Sequence, residues 1–282
     1  MKNLRRICID TGRSLARRMG LDIQRYPKPA EEHWRSHLFR SLLPVFGTTH
    51  KSDVATDFVM FCIERRGMAS AQLFQDLFVL WCLQEKQHGF FVEFGATDGV
   101  FLSNSLLLEQ QFKWNGILAE PARCWHSKLF ENRNCTIDTR CVYGCSCLEV
   151  DFNEVATAEL STVSSFSDHD RHSHTRRTGK KYSVPTVSLS DLLRQHSAPR
   201  HIEYLSVDTE GSEFEILQGC DFSSYQFDII TVEHNFTANR EQIAALLGQH
   251  GYTRVFSEFS QWDDWYIHSC MRSRLEGSQQ RA

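Results

Sequence analysis

Acidic side chains follow or interrupt the apolar runs of this sequence, where they could bind a cationic ligand or accept a proton. The run 90–94 contains Glu93 and leads into a turn bounded by Gly95 and Gly99. The two glycines allow tight backbone geometry and close approach of a ligand. Glu120 ends a second apolar run, where an acid binds the ribose of an adenosine cofactor in doubly wound folds. This spacing predicts a nucleotide-cofactor site.

The charge of the loop indicates which cofactor it would bind. A dinucleotide fingerprint has three closely spaced glycines, whereas this loop has two, with Glu93 and Asp98 beside them. Carboxylates repel a pyrophosphate but attract the sulfonium and ammonium groups of S-adenosylmethionine. The loop therefore favours this methyl donor over NAD. An ordinary strand, turn and helix with a solvated Asp98 is the alternative that the loop alone leaves open.

Two further groups of polar residues come after apolar runs. Asp208 and Glu210 follow the run 202–207, and the sequence Glu233-His234-Asn235 follows the next predicted strand. In open α/β sheets, ligands bind at the carboxyl ends of the strands. We therefore expect both groups to lie at one edge of a sheet.

The elements that must position these residues alternate between strand and helix, which predicts an α/β fold with a mostly parallel sheet flanked by helices. An antiparallel pair, 253–256 and 265–268, closes the sheet, and a polar turn carrying Asp263 and Asp264 separates its strands. The predicted strands are 90–94, 116–119, 202–207 and 229–233, with others within 135–152, and the helices lie near 72–85, 102–111, 122–130, 212–218 and 238–249.

Composition divides the chain into three parts. Residues 1–68 are predicted to form a basic, helical N-terminal extension, 69–270 the main domain and 271–282 a tail. Within the main domain, 157–183 is rich in polar residues and is predicted to be a loop or lid. With 282 residues, 41% of them hydrophobic, the chain suits one domain with an extension.

The charge distribution limits the classes of partner. The net charge of −4 gives no case for nucleic-acid binding, although residues 1–30 carry eight Lys and Arg against two Asp. This basic segment is compatible with contact at a membrane surface, but it has no apolar run suited to a signal or a membrane span, so we expect a cytoplasmic protein. The ten cysteines are expected to be free thiols, with Cys141, Cys145 and Cys147 buried in a strand.

Taken in order, the motifs resemble those of the FkbM family of methyltransferases, from about residue 69 to about residue 268. The chain departs from the family's usual pattern at Thr97, where Asn is common. The matching motifs are Gln75-Asp76, 91–99, Ser103-Asn104-Ser105, 118–121, 208–213 and 233–235.

The resemblance implies a Rossmann-like class I methyltransferase fold and S-adenosylmethionine-dependent O-methylation of a hydroxyl on a sugar, glycan or natural product. A hydroxyl needs a base in reach, and Asp208 and His234 are the candidates, with Glu210 and Glu233 orienting the substrate or the base. Asp138 is a candidate for the adenine. The predicted cofactor-binding residues are Glu93, Gly95, Ala96, Thr97, Asp98, Gly99, Asn104, Glu120 and Asp208.

Other interpretations stay open at this point. Asp208, Glu233 and Asn235 could together hold Mg²⁺ or Mn²⁺, or they could merely cap helices and fix loops. An NAD-dependent sugar oxidoreductase or a non-catalytic binding protein could share the fold. The expected acceptor is a small molecule, a glycan or a lipid-linked glycan, as in glycan biosynthesis.

Overall fold

The computed structural model of the chain describes residues 54–155, 160–167, 173–257 and 259–271. The predicted basic segment of residues 1–30 and nearly all of the predicted tail lie outside these ranges. The described helices are α1 Val54–Arg65, α2 Gln75–Cys82, α3 Leu106–Phe112, α4 His126–Asn132, α5 Ser173–Arg176, α6 Leu189–Gln195, α7 Glu213–Gln218 and α8 Asn239–Gln249.

The strands form two sheets. The larger has seven strands in the order β10-β11-β9-β8-β1-β2-β3, and the smaller has four in the order β4-β7-β5-β6. The strands are β1 Phe90–Phe94, β2 Asn115–Ala119, β3 Thr136–Asp138, β4 Cys141–Tyr143, β5 Glu149–Glu154, β6 Thr162–Val163, β7 Lys180–Ser188, β8 His201–Val207, β9 Gln226–Glu233, β10 Tyr252–Val255 and β11 Asp263–His268.

The larger sheet confirms the predicted α/β class. Strands β3, β2, β1, β8 and β9 are parallel neighbours, whereas β11 runs antiparallel to both β9 and β10. The strands β1, β2, β8 and β9 are buried along nearly their whole length, as expected of a parallel sheet that is covered on both faces. Asp263 and Asp264 differ from the prediction, since they are buried in β11 and not in a turn.

The register of the larger sheet aligns four strand ends. Phe94 pairs with Ala119 on one side and with Val207 on the other, and Val207 pairs with Val232. The residues that directly follow these four paired residues therefore lie in one row across the sheet. That row consists of Glu120, Gly95, Asp208 and Glu233.

The smaller sheet arises from the part of the chain between β3 and β8. The segment 157–183 is predicted as a loop, but its described part contains β6, α5 and the first residues of β7. Phe152, Val163 and Val184 bury their side chains in a separate small core of this sheet. The described cysteines are free thiols; Cys141 is buried as expected, whereas Cys145 and Cys147 are exposed beyond the end of β4.

Helix α3 begins later than the sequence predicts. Leu102 has a positive φ of 58°, and the helix starts only at Leu106. Ser103 and Asn104 precede it because Glu93 binds the Ser103 hydroxyl and the Asn104 backbone N–H. Because the helix begins later in the chain, Asn104 lies at the carboxyl end of β1.

Helix α1 and the larger sheet belong to one compact unit, and this unit spans residues 52–282. Phe58 is 2% exposed, and its ring packs against the rings of Phe78, Phe256 and Trp265. Helix α1 thus packs on the larger sheet through Phe58, and the domain boundary after residue 68 stays a prediction. None of the helices in the described ranges combines the length and apolar character that a bilayer span requires.

Substituting Phe58 tests whether α1 is part of the folded unit. F58A should lower the free energy of unfolding by about 3–5 kcal/mol, because it removes a buried aromatic ring. M60A, at a helix position that is 43% exposed, is the control and should change it by less than about 0.5 kcal/mol. Urea unfolding measures both. Equal, small effects would show that α1 does not contribute to the core.

Candidate functional site

A cavity of about 250 Å³, called cavity 1 here, lies at the carboxyl ends of β1, β2, β8 and β9. Its walls contain the row of residues aligned by the sheet register, together with apolar residues of the smaller sheet. The smaller sheet thus closes one side of a space that the larger sheet opens. The residues in its wall used below are Glu93, Gly95, Thr97, Asn104, Glu120, Val142, Phe152, Asp208, Glu210 and Glu233.

The turn after β1 lies directly against the end of β8. Gly95 has a φ of +75°, and a Cβ at this position would lie 1.9 Å from the carbonyl oxygen of Asp208. Two residues later, the backbone N–H of Thr97 donates to Glu120 Oε2 at 2.9 Å. Only glycine therefore fits at position 95, and the turn connects the ends of three strands.

Glu120 is held rigidly at the end of β2. Its Oε1 accepts from the backbone N–H of Ala122 at 2.8 Å, in addition to the bond from Thr97. Burial raises the pKa of Glu120 to about 7, and these backbone donors oppose the shift. The carboxyl group is thus oriented towards cavity 1 by backbone contacts from two loops.

Three residues predicted to contact a cofactor do not line cavity 1. Asp98 Oδ1 accepts from the backbone N–H groups of Val100 and Phe101, at 2.9 and 2.7 Å, and so caps the turn. Ala96 is buried, and a Cβ on Gly99 would meet Arg133. These residues shape the loop and do not face the cavity.

Glu93 organises the entrance to α3 and has a buried cation beside it. Its carboxylate accepts from the Asn104 backbone N–H at 2.7 Å and from the hydroxyls of Ser103 and Ser105. Arg133, whose side chain is fully buried, lies 3.9 Å away and bonds both hydroxyls. No local sequence pattern points to Arg133, because it lies on a segment distant from Glu93.

Asn104 presents an unsatisfied polar atom in this region. Its Nδ2 donates to Ser206 Oγ at 2.9 Å, while its buried Oδ1 has no hydrogen-bond partner. Buried polar atoms without a partner are uncommon in native proteins. Since Asn104 lines cavity 1, this oxygen is available to a ligand.

Asp208 and Glu233 form a pair of carboxyl groups at the ends of β8 and β9. Burial raises the pKa of Asp208 to about 7, with a hydrogen bond from Glu233 acting against the shift and the charges of Glu213 and Glu93 adding to it. The pKa of Glu233 is also raised, by burial and then by Asp208. Two adjacent buried carboxyls cannot both ionise readily, so the pair holds a proton near neutral pH.

Glu210 lies beside this pair but has a different partner. Arg176, with a fully buried side chain, donates to Glu210 Oε2 at 2.7 Å, and Asn235 Nδ2 donates to the same oxygen at 3.3 Å. Oxygens of Asp208, Glu210 and Glu233 lie within 4.8 Å of one another. The acidic cluster therefore contains Glu210, whereas the amide of the predicted ligand Asn235 donates to it.

His234 faces a neighbouring cavity and not cavity 1. Its Nδ1 accepts from the backbone N–H of Phe236 at 2.9 Å, and its Nε2 lies 3.8 Å from Asp264 Oδ1. Burial lowers its pKa, so the ring is neutral. The lone pair on Nδ1 already accepts the hydrogen bond from Phe236. This geometry does not support the predicted role of His234 as a base beside Asp208.

Asp138, the candidate for the adenine, is likewise committed elsewhere. Its Oδ2 contacts Arg140 and His196 at 2.6 and 2.8 Å, and it does not line cavity 1. Asp263, paired with Glu233 across β11 and β9, was not predicted as a site residue. Burial raises its pKa to about 8, while a hydrogen bond from Gln75 acts against the shift.

Comparison with known proteins identifies the family. The crystal structure of the methyltransferase FkbM from Methylobacillus flagellatus KT is 13% identical, with a TM-score of 0.40; the match covers 64% of this chain and 44% of that one. A precorrin-6y C5,15-methyltransferase from Geobacter metallireducens GS-15 is 11% identical, with a TM-score of 0.35 and coverages of 68% and 85%. No curated protein matches significantly. The sequence profile of the methyltransferase FkbM domain matches residues 93–271, and the chain therefore belongs to the FkbM methyltransferase family.

Proposed function

We propose that the protein transfers a methyl group from S-adenosylmethionine to a hydroxyl of a sugar, glycan or other natural product. The observation that carries the proposal is the row of Glu120, Gly95, Asp208 and Glu233, which faces one cavity at the carboxyl ends of parallel strands. Carboxyl groups on both sides of a glycine turn suit a ligand that has a ribose and two cationic groups.

The residues of cavity 1 fit the methyl donor. Glu120, fixed by two backbone N–H groups, has lone pairs left to accept from ribose hydroxyls. The unpartnered Oδ1 of Asn104 can accept from the ammonium group. Val142 and Phe152, on the wall formed by the smaller sheet, offer apolar surface to the adenine.

Asp208 is the proposed base. The bound donor supplies a methyl group on a positively charged sulfur; the carbon–sulfur bond breaks as the carbon–oxygen bond forms, and the hydroxyl proton passes to Asp208. A pKa of about 7 suits a general base at neutral pH. The hydrogen bond from Glu233 keeps part of the Asp208 population as the carboxylate that can accept this proton, and Arg176 keeps Glu210 in place.

A divalent cation is an alternative way for this cluster to activate a hydroxyl. Asp208, Glu210 and Glu233 offer three oxygen ligands of the kind that Mg²⁺ and Mn²⁺ accept. Arg176, however, already supplies a positive partner to Glu210, and the shared proton offsets part of the charge of the pair. These features favour a proton shared by Asp208 and Glu233 over a metal ion bound to the acidic cluster.

Calorimetric titration with S-adenosylhomocysteine tests the proposed donor site. The wild-type protein should bind one equivalent, with NAD giving no heat of binding. E120Q should bind about tenfold more weakly, because an amide NH₂ replaces one of the two oxygens that accept hydrogen bonds from the ribose and the turn. E131Q, at an exposed position of α4, is the control and should match the wild type. Unchanged affinity in E120Q would place the ribose elsewhere, and no binding by the wild type would contradict the proposal.

The raised pKa of Asp208 makes stability depend on pH. Below about pH 4 both the folded and the unfolded state carry the proton. As pH rises, the unfolded state releases it first, so the free energy of unfolding falls until the pH passes the folded pKa of about 7. D208N removes the ionisation and should flatten this decrease in urea unfolding between pH 4 and 7. D151N, at an exposed strand residue, should keep the wild-type slope; an equal slope in D208N would refute the raised pKa.

Thermal melting tests the metal alternative. A ligand that binds only the folded state raises the melting temperature, and the rise grows with the ligand concentration relative to its dissociation constant. After treatment with a chelator, addition of Mg²⁺ or Mn²⁺ should leave the melting temperature unchanged. A rise in melting temperature that is seen in the wild type but not in E233Q would assign a cation to the acidic cluster. It would contradict the proposal that Asp208 and Glu233 share a proton there.

A further inference from the structure

A second cavity, called cavity 2 here, adjoins the acidic cluster. It also measures about 250 Å³ and shares Glu210 and Glu233 with cavity 1. Its other walls come from the segment between β9 and α8 and from the start of α7. A ligand in cavity 2 would therefore meet two of the carboxyl groups that also line cavity 1.

Two buried oxygens at cavity 2 have no hydrogen-bond partner. They are Glu233 Oε2 and Asn235 Oδ1, and Glu233 is only 8% exposed. Burying such atoms without a partner is costly, which points to a ligand that supplies donors. Hydroxyl groups are suitable donors, because each can donate to one oxygen and still accept from another group.

The charges at cavity 2 do not suit an anionic ligand. Its acidic wall residues are Glu210, Glu213 and Glu233, and none of its described wall residues is Lys or Arg. The nearby Arg176 is fully buried and ion-paired with Glu210. Burial lowers the pKa of His234, so it adds no positive charge at neutral pH. Among the wall residues that the structure describes, a phosphate or carboxylate would meet carboxyl groups and no compensating side-chain cation.

Phe236 adds an exposed aromatic ring between two residues of the cavity wall. It is 62% exposed, and it lies between Asn235 and Thr237, which both line cavity 2. Its φ of 58° and the φ of 44° at Asn235 turn the chain sharply at this point. An exposed aromatic ring beside polar groups suits a ligand with both an apolar face and hydroxyls, as a pyranose ring has.

We infer that cavity 2 is the acceptor subsite and that it binds an uncharged, polyhydroxylated ring in preference to a phosphorylated or carboxylated one. Asn235 and Glu233 accept from the ring hydroxyls, and Phe236 packs on the ring's apolar face. A hydroxyl held there lies next to the acidic cluster that contains Asp208. The inference rests on the proposed function for its reaction, but binding of the ring can be measured separately.

Saturation-transfer NMR of the complex with S-adenosylhomocysteine tests this inference. The probes are methyl α-D-glucopyranoside and methyl α-D-mannopyranoside, with glucose 6-phosphate and glucuronate as their charged counterparts. At least one neutral glycoside should receive saturation and the charged sugars should not. F236A should weaken glycoside binding about fivefold, whereas F130A, which removes another exposed ring that is 56% accessible on α4, should leave it unchanged.

The outcomes separate the two proposals. Failure of both neutral glycosides to bind, equal signals from charged sugars, or unchanged binding in F236A would each overturn the acceptor assignment while S-adenosylhomocysteine still binds. Retained glycoside binding in a protein that does not bind S-adenosylhomocysteine would contradict the proposed function and support the subsite. Every variant is first titrated with S-adenosylhomocysteine, so that a folding defect is recognised by loss of that affinity.

Discussion

The site depends on one electrostatic constraint, which is that several carboxyl groups occupy a small buried region at one edge of the sheet. Taking an unpaired carboxylate out of water is too costly for a folded protein to bear without compensation. Each carboxyl group in this region is stabilised in its own way. Glu93 has Arg133 and a set of donors, Glu210 has Arg176, Glu120 has two backbone N–H groups, and Asp208 and Glu233 hold a proton.

The sheet register brings these groups together, and the backbone turns hold them in place. The close contact of Gly95 with the Asp208 carbonyl leaves no room for a side chain between β1 and β8. The bond from Thr97 to Glu120 then fixes the end of β2 to the same turn. Cavity 1 is thus bounded by strand ends that are already fixed, so the binding of a ligand requires little further ordering of the backbone.

Much of the fold could be predicted from the sequence because its signals are local. Strands buried on both faces, such as β1 and β8, have continuous apolar runs, and the acids after them must lie at one edge of a parallel sheet. In the smaller sheet, β4 and most of β5 fall within the predicted strand region 135–152, whereas β6 and the start of β7 lie in the segment predicted as a loop, because β7 begins with exposed polar residues. Arg133 and Arg176 were missed because their partners are distant in sequence, and His234 was misplaced because its backbone partner depends on the turn at Asn235 and Phe236.

Carboxyl ¹³C NMR titration of the aspartate side chains most directly tests the claim that the site holds a proton near neutral pH. With D208N as the assignment control, the account predicts a resonance in the wild type that titrates near pH 7 and is absent from the variant. Its transition should also move in E233Q, because the two carboxyl groups interact. A wild-type spectrum in which Asp208 titrates in the ordinary aspartate range, at about pH 4, would contradict the account.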